Sequence, residues 1–113
     1  MKVKNMISPK GNTVANQFFI RNESVHVFQS YDSIIAVRDW RVRDNFGEPT
    51  ITLDKNRWNY SVTTGKYRNQ FLNEGLAETR KKIEAGIYKL DDLNAEGYLY
   101  LSASVPNEQK AGN

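Results

Sequence analysis

The feature that most restricts the fold of this chain is a succession of β-rich runs separated by turn formers. QFFIR at 17–21 and VHVFQS at 25–30 are strand-like, and Asn22-Glu23-Ser24 between them is a turn-like spacer. SIIAVRDW at 33–40 and TITLD at 50–54 continue the series, joined by a loop containing Asp44-Asn45-Phe46-Gly47-Glu48-Pro49. Runs of this kind, met one after another, predict a mainly antiparallel β-meander. Alternation over 25–30 is imperfect, with Val25, Val27 and Gln29 set against His26, Phe28 and Ser30, so the register stays open.

The period then changes. Leu72, Leu76, Thr79 and Ile83 are spaced by four, three and four, which places them on one helix face. The spacing predicts a helix over 76–85, with Glu78 positioned to pair with Lys82 and Gly86 as a left-handed cap. Gly75 separates it from a short helical turn over 67–72. IYKLDDLN at 87–94 reads as a short strand or extended piece, and GYLYLSASV at 97–105 as a last strand. SPKGN at 8–12 marks a loose arm, and PNEQKAGN a frayed tail. The expected organisation is an arm over 1–12, a single α+β domain over 13–105 and a tail over 106–113. Four to five strands would carry one principal helix, packed through Leu72, Leu76 and Ile83.

A chain of 113 residues suits one domain, and 39% hydrophobic with 26% charged residues is the balance of a folding sequence. Without cysteine there is no disulfide, thiolate or zinc–cysteine chemistry, in keeping with a reducing cytosol. No signal-peptide region or transmembrane-length apolar run is present, so neither export nor a membrane partner is expected. The net charge of +3 is mild, but its distribution is uneven. Arg57, Lys66, Arg68, Arg80, Lys81 and Lys82 against Glu74 and Glu78 leave residues 57–82 at +4. Lys2, Lys4, Lys10 and Arg21 put another +4 on the first 22 residues.

Motifs for chemistry are few. TTGK at 63–66 suggests a phosphate loop, but Tyr60 stands where the first glycine is needed, and Tyr67 where a magnesium-binding hydroxyl is needed. Thr63, Thr64 and Gly65 are read as an ordinary helix cap, with anion binding there as the weaker alternative. His26 is the sole histidine and is read as a surface or edge strand residue rather than a base. Asp91, Asp92 and Glu96 match no calcium loop, and Ser61, Thr63 and Thr64 have no neighbouring base. The expectation is a non-enzymatic protein with no cofactor, no metal and no small-molecule substrate.

Aromatic rings interleaved with cations are the better lead. Trp58 and Tyr60 would share a strand face, and single strands are gripped by ring platforms beside basic grooves. Trp58 and Phe71 are read as core clamps between strand and helix, and Tyr67 and Trp40 as exposed rings. Nucleic-acid contact, with single strands preferred, is therefore expected from Lys66, Tyr67, Arg68, Arg80, Lys81 and Lys82. A second expected surface, for a protein partner, is the enlarged loop with Trp40, Arg41, Arg43 and Phe46.

GNTVANQFFI, FQSYDSIIA, ITLD, WNYSVTTGKYRNQFLNE and ETRKKIEAG, in that order across roughly residues 11–94, resemble a family of small uncharacterised proteins found mainly in bacteriophage genomes. The chain departs from that pattern by the longer loop RDWRVRDNFGEP and by its appended GYLYLSASVPNEQKAGN. The resemblance carries no activity or site residues. It implies a phage accessory protein in the cytoplasm of the bacterial host, acting on nucleic acid or on a host protein complex. In the second case it would block defence or transcription machinery by direct contact.

Overall fold

The computed structural model describes residues 2–95. Its centre is a six-stranded sheet whose spatial order is the chain order: β1 (Lys2–Ile7), β2 (Thr13–Asn22), β3 (Val25–Ser30), β4 (Ser33–Arg43), β5 (Pro49–Asp54) and β6 (Lys89–Asp91). The first five strands pair antiparallel, which short turns permit, and β6 joins β5 in parallel. A parallel partner needs a longer crossover, and α1 (Val62–Leu72) and α2 (Leu76–Glu84) supply it. The α+β meander expected from the β-rich runs is therefore present, with six strands among the described residues. The expected strand at 97–105 and tail at 106–113 lie outside them.

Pairing in register resolves the faces that alternation left open. Phe19, Phe28, Ala36 and Leu53 lie opposite one another across β2 to β5 and point to the helix side. A bulge after Phe28 turns Ile35 to the same side. There they bury against Met6, Tyr67, Phe71, Leu72 and Tyr88. On the other face Ile20, Val25, Val27, Ile34 and Leu93 form a second cluster. Residues 93 and 94 are held by side-chain bonds. The buried Asp54 carboxylate accepts the Leu93 amide at 2.9 Å, and the Asn94 side chain bonds both the N–H and the C=O of Ile34.

Three expectations are corrected. Lys2–Ile7 is a paired strand rather than part of a loose arm, because Met6 fills the core while the alternate lysines stay in water. The principal helix is α1, not the helix beginning at Leu76. It packs against β2, β3 and β4 through Thr64, Tyr67, Arg68, Phe71 and Leu72, whereas α2 buries only Thr79. Its cap is Ser61, whose Oγ accepts the Thr64 amide, and the Thr64 hydroxyl instead meets Ser30 Oγ at 2.9 Å inside the fold. Finally, RDWRVRDNFGEP is not a loop. β4 and β5 extend into it as a bulged hairpin, closed where the Asp44 carboxylate accepts the amides of Phe46 and Glu48 and Gly47 takes φ +84°.

Candidate functional site

One rung of the sheet gathers basic side chains from four strands. Lys2 of β1 pairs with Arg21 of β2, Arg21 with His26 of β3, and His26 with Arg38 of β4. Directly paired residues project to the same face, so these four line the helix side of the sheet, with Lys4 opposite Phe19 in the next rung but one. Three strand spacings make the row ~14 Å long. Lys2, Lys4 and Arg21 are exposed, and no carboxylate pairs with them among the described residues.

Rings are interleaved with these charges. His26 stands edge-on between Phe19, with ring centroids 5.0 Å apart, and Trp40, at 4.6 Å. The Arg38 guanidinium lies 4.5 Å over the Phe71 ring and 5.7 Å from the Trp40 ring, and donates through Nη2 to the Phe71 carbonyl at 2.7 Å. Phe19, His26 and Trp40 are half-buried, so they are fixed by packing yet reach the surface. Burial, and then the charges of Arg38 and Arg21, hold the His26 imidazole below its ordinary value. His26 is thus an inner-strand residue in a basic row, rather than an edge residue.

Beyond Arg38 the surface falls into a cleft of about 460 Å³ between the β4–β5 hairpin and the helices. Trp40 and Arg43 enter it from the hairpin, Lys82 from α2, and Glu74 and Tyr88 form part of its wall. Glu74 is fully engaged. It accepts Lys82 Nζ at 2.7 Å, the Thr79 hydroxyl at 2.6 Å and the Tyr88 phenol at 2.9 Å. Burial first, and then the bond to Glu74, push the Tyr88 phenol up to about 12.

These contacts separate the residues expected at a site. Tyr67 is a core residue rather than an exposed ring. Arg68 is 1% exposed, donating to the Trp58 carbonyl and to the side-chain oxygens of Asn59 and Asn69, with its guanidinium 5.3 Å from the Trp58 ring. Buried on these partners, it does not reach a phosphate. Lys82 pairs with Glu74 rather than with Glu78. Lys66, Arg80 and Lys81 are exposed on the helices. Trp58 packs against the core and Phe71 lies in it, as read, while residues 58–60 form a turn rather than a strand, leaving Tyr60 48% exposed. Of the expected protein-binding residues, Trp40 and Arg43 line the cleft, Arg41 is tied to Asp39 at 2.9 Å, and Phe46 stands 88% exposed at the hairpin tip.

Sequence reasoning missed the Lys2, Arg21, His26 and Arg38 row. Only strand register joins them, although the +4 of the first 22 residues was a partial signal. Among the described residues no group of three or more His, Asp or Glu side chains is placed to hold a metal, and no helix is long and apolar enough to cross a membrane.

Residues 1–86 match the model of a family of unknown function, DUF8033. No curated protein and no solved structure matches the chain.

Proposed function

Because the chain belongs to that family of unknown function, its role has to be read from its own surface, and we propose that it is a nucleic-acid-binding module that prefers single strands. The observation that carries this reading is the row of Lys2, Arg21, His26 and Arg38, in which Lys2 and Arg21 have no carboxylate ion pair among the described residues, flanked by the half-buried rings of Phe19 and Trp40. Cations spaced across strands follow a phosphate backbone, and each base stacked on a ring contributes about 1–3 kcal/mol without demanding a sequence. The resemblance to phage proteins fits an accessory protein acting on phage or host nucleic acid in the bacterial cytoplasm, without catalysis. Titration of labelled single-stranded and duplex oligonucleotides at low and moderate salt tests it. Binding that is tighter to single strands and weakens steeply with salt is expected, and no binding at low salt overturns it.

A second reading, that the protein blocks a host protein by surface contact, is favoured by one observation. Phe46 at the hairpin tip and Val42 below it expose apolar surface on a projecting arm. A pull-down from host lysate with nuclease treatment separates the two. A partner retained after nuclease and lost with Phe46→Ala supports the hairpin, and one released by nuclease supports the row.

A further inference from the structure

The cleft beyond Arg38 has a different chemistry from the open row. It is an open cleft whose volume of about 460 Å³ is within the range of small-ligand sites, and its wall combines an indole with guanidinium groups. Arg38 is oriented before any ligand arrives, because its Nη2 is spent on the Phe71 carbonyl and its plane lies against the Phe71 ring. Arg43 is likewise held, with Nη1 donating to the Gly47 carbonyl at 2.8 Å at the hairpin's closing turn. Each guanidinium keeps further N–H donors with no partner among the described residues. The carboxylate at the back of the cleft does not oppose an anion, since Glu74 is matched by Lys82 and two hydroxyl donors. Glu48, on the hairpin side, has no ion pair among the described residues, and it suits the amino group of a base rather than a second phosphate.

We propose that this cleft binds a phosphate monoester of a nucleotide, with Arg38 and Arg43 on the phosphate and Trp40 beside the base. A monoester carries nearly two negative charges at neutral pH, and two forked guanidinium groups match it better than they match the single charge of a diester. Such a group comes from the phosphorylated end of a strand or from a free nucleotide. The proposal rests on the nucleic-acid reading in so far as Arg38 belongs to both surfaces, and it goes beyond it by giving the protein a preference for phosphorylated ends.

The test uses the full chain and short single-stranded oligonucleotides ending in a 5′-hydroxyl, a 5′-phosphate or a 3′-phosphate, labelled at the opposite end, with a nucleoside monophosphate as competitor. A phosphorylated end is expected to bind about tenfold tighter than a hydroxyl end, as two charge-assisted contacts would give. Arg43→Ala should abolish that advantage and leave the hydroxyl-ended strand bound as before, because the exposed Arg43 lies off the row. Competition by the nucleoside monophosphate would show that a free nucleotide suffices, and an advantage without competition would assign the cleft to strand ends. Equal binding of phosphate and hydroxyl ends, or an advantage that survives Arg43→Ala, overturns the proposal. Should hydroxyl-ended strands fail to bind while the nucleoside monophosphate binds in an Arg43-dependent way, the row reading falls and the cleft stands.

Discussion

The imidazole of His26 meets the indole of Trp40 edge to face, with ring centroids 4.6 Å apart, and strand pairing sets the chain's one histidine between Arg21 and Arg38. Burial, then Arg38 and Arg21, disfavour its protonated form in the free protein. A phosphate on the row would offset those arginines and raise the imidazole value, so binding would take up a proton. Affinity for an oligonucleotide is accordingly expected to increase as pH falls toward the lowered imidazole value of the free protein. His26→Gln should flatten the profile. Equal pH dependence in wild type and variant would remove His26 from the interface.

Stability should depend on α1 more than on α2. Phe71 is buried against Phe28 and Phe19, with ring centroids 6.0 Å apart in each pair, so Phe71→Ala is expected to cost about 3–5 kcal/mol in urea unfolding. Leu76 is only half-buried, and Leu76→Ala should cost below about 2 kcal/mol. The reverse order would mean that α2 is the main packing helix after all.

Arg68 acts as a structural strut. Burial, and then the like charge of Arg80, pull its guanidinium below the ordinary value, and three oxygens of the 58–69 segment hold it in place. Arg68→Lys cannot reproduce this fork and should cost about 2 kcal/mol or more, while leaving the oligonucleotide affinity of the folded protein unchanged. A stable variant with weakened binding would return Arg68 to the ligand.

The strand runs were legible because their β-branched and aromatic residues are bounded by turn formers, and Trp58 and Phe71 were legible as core rings. β1 was not, since KVKNMI shows water two lysines and buries a single Met6. Helix α1 was hidden for a related reason. Its buried positions include Thr64, Gly65 and Arg68, whose burial depends on specific partners and not on hydrophobicity. The hairpin read as a loop because polar residues and a register break interrupt β4 between Asp39 and Arg43. As for the site, residues 2, 21, 26 and 38 become neighbours only through pairing register, which local pattern does not encode.

Glu74 and Tyr88 predict the two limbs of the pH–stability curve. Burial would raise the Glu74 carboxyl, but the bonds from Lys82, Thr79 and Tyr88 outweigh it and leave the value lowered. Its contribution is therefore complete above the ordinary carboxylate value and is lost as pH falls through the lowered one. Tyr88 keeps its proton up to about 12 when folded, whereas the unfolded chain releases it near 10, so stability should fall across that window. Urea midpoints measured against pH should show both limbs, and Tyr88→Phe should reduce the alkaline fall. An unchanged alkaline limb in that variant would show that Tyr88 does not cause it.

The most direct measurement is the salt dependence of single-strand affinity for two triple variants. One is Lys2→Ala, Lys4→Ala and Arg21→Ala on the sheet, and the other is Lys66→Ala, Arg80→Ala and Lys81→Ala on the helices. Each lost phosphate contact should reduce the slope of log affinity against log salt by about 0.7 for a single strand. The sheet variant is expected to lose about two units of slope and most of its affinity, while the helix variant stays close to wild type. If the helix variant takes the loss and the sheet variant binds normally, the basic row is not the interface.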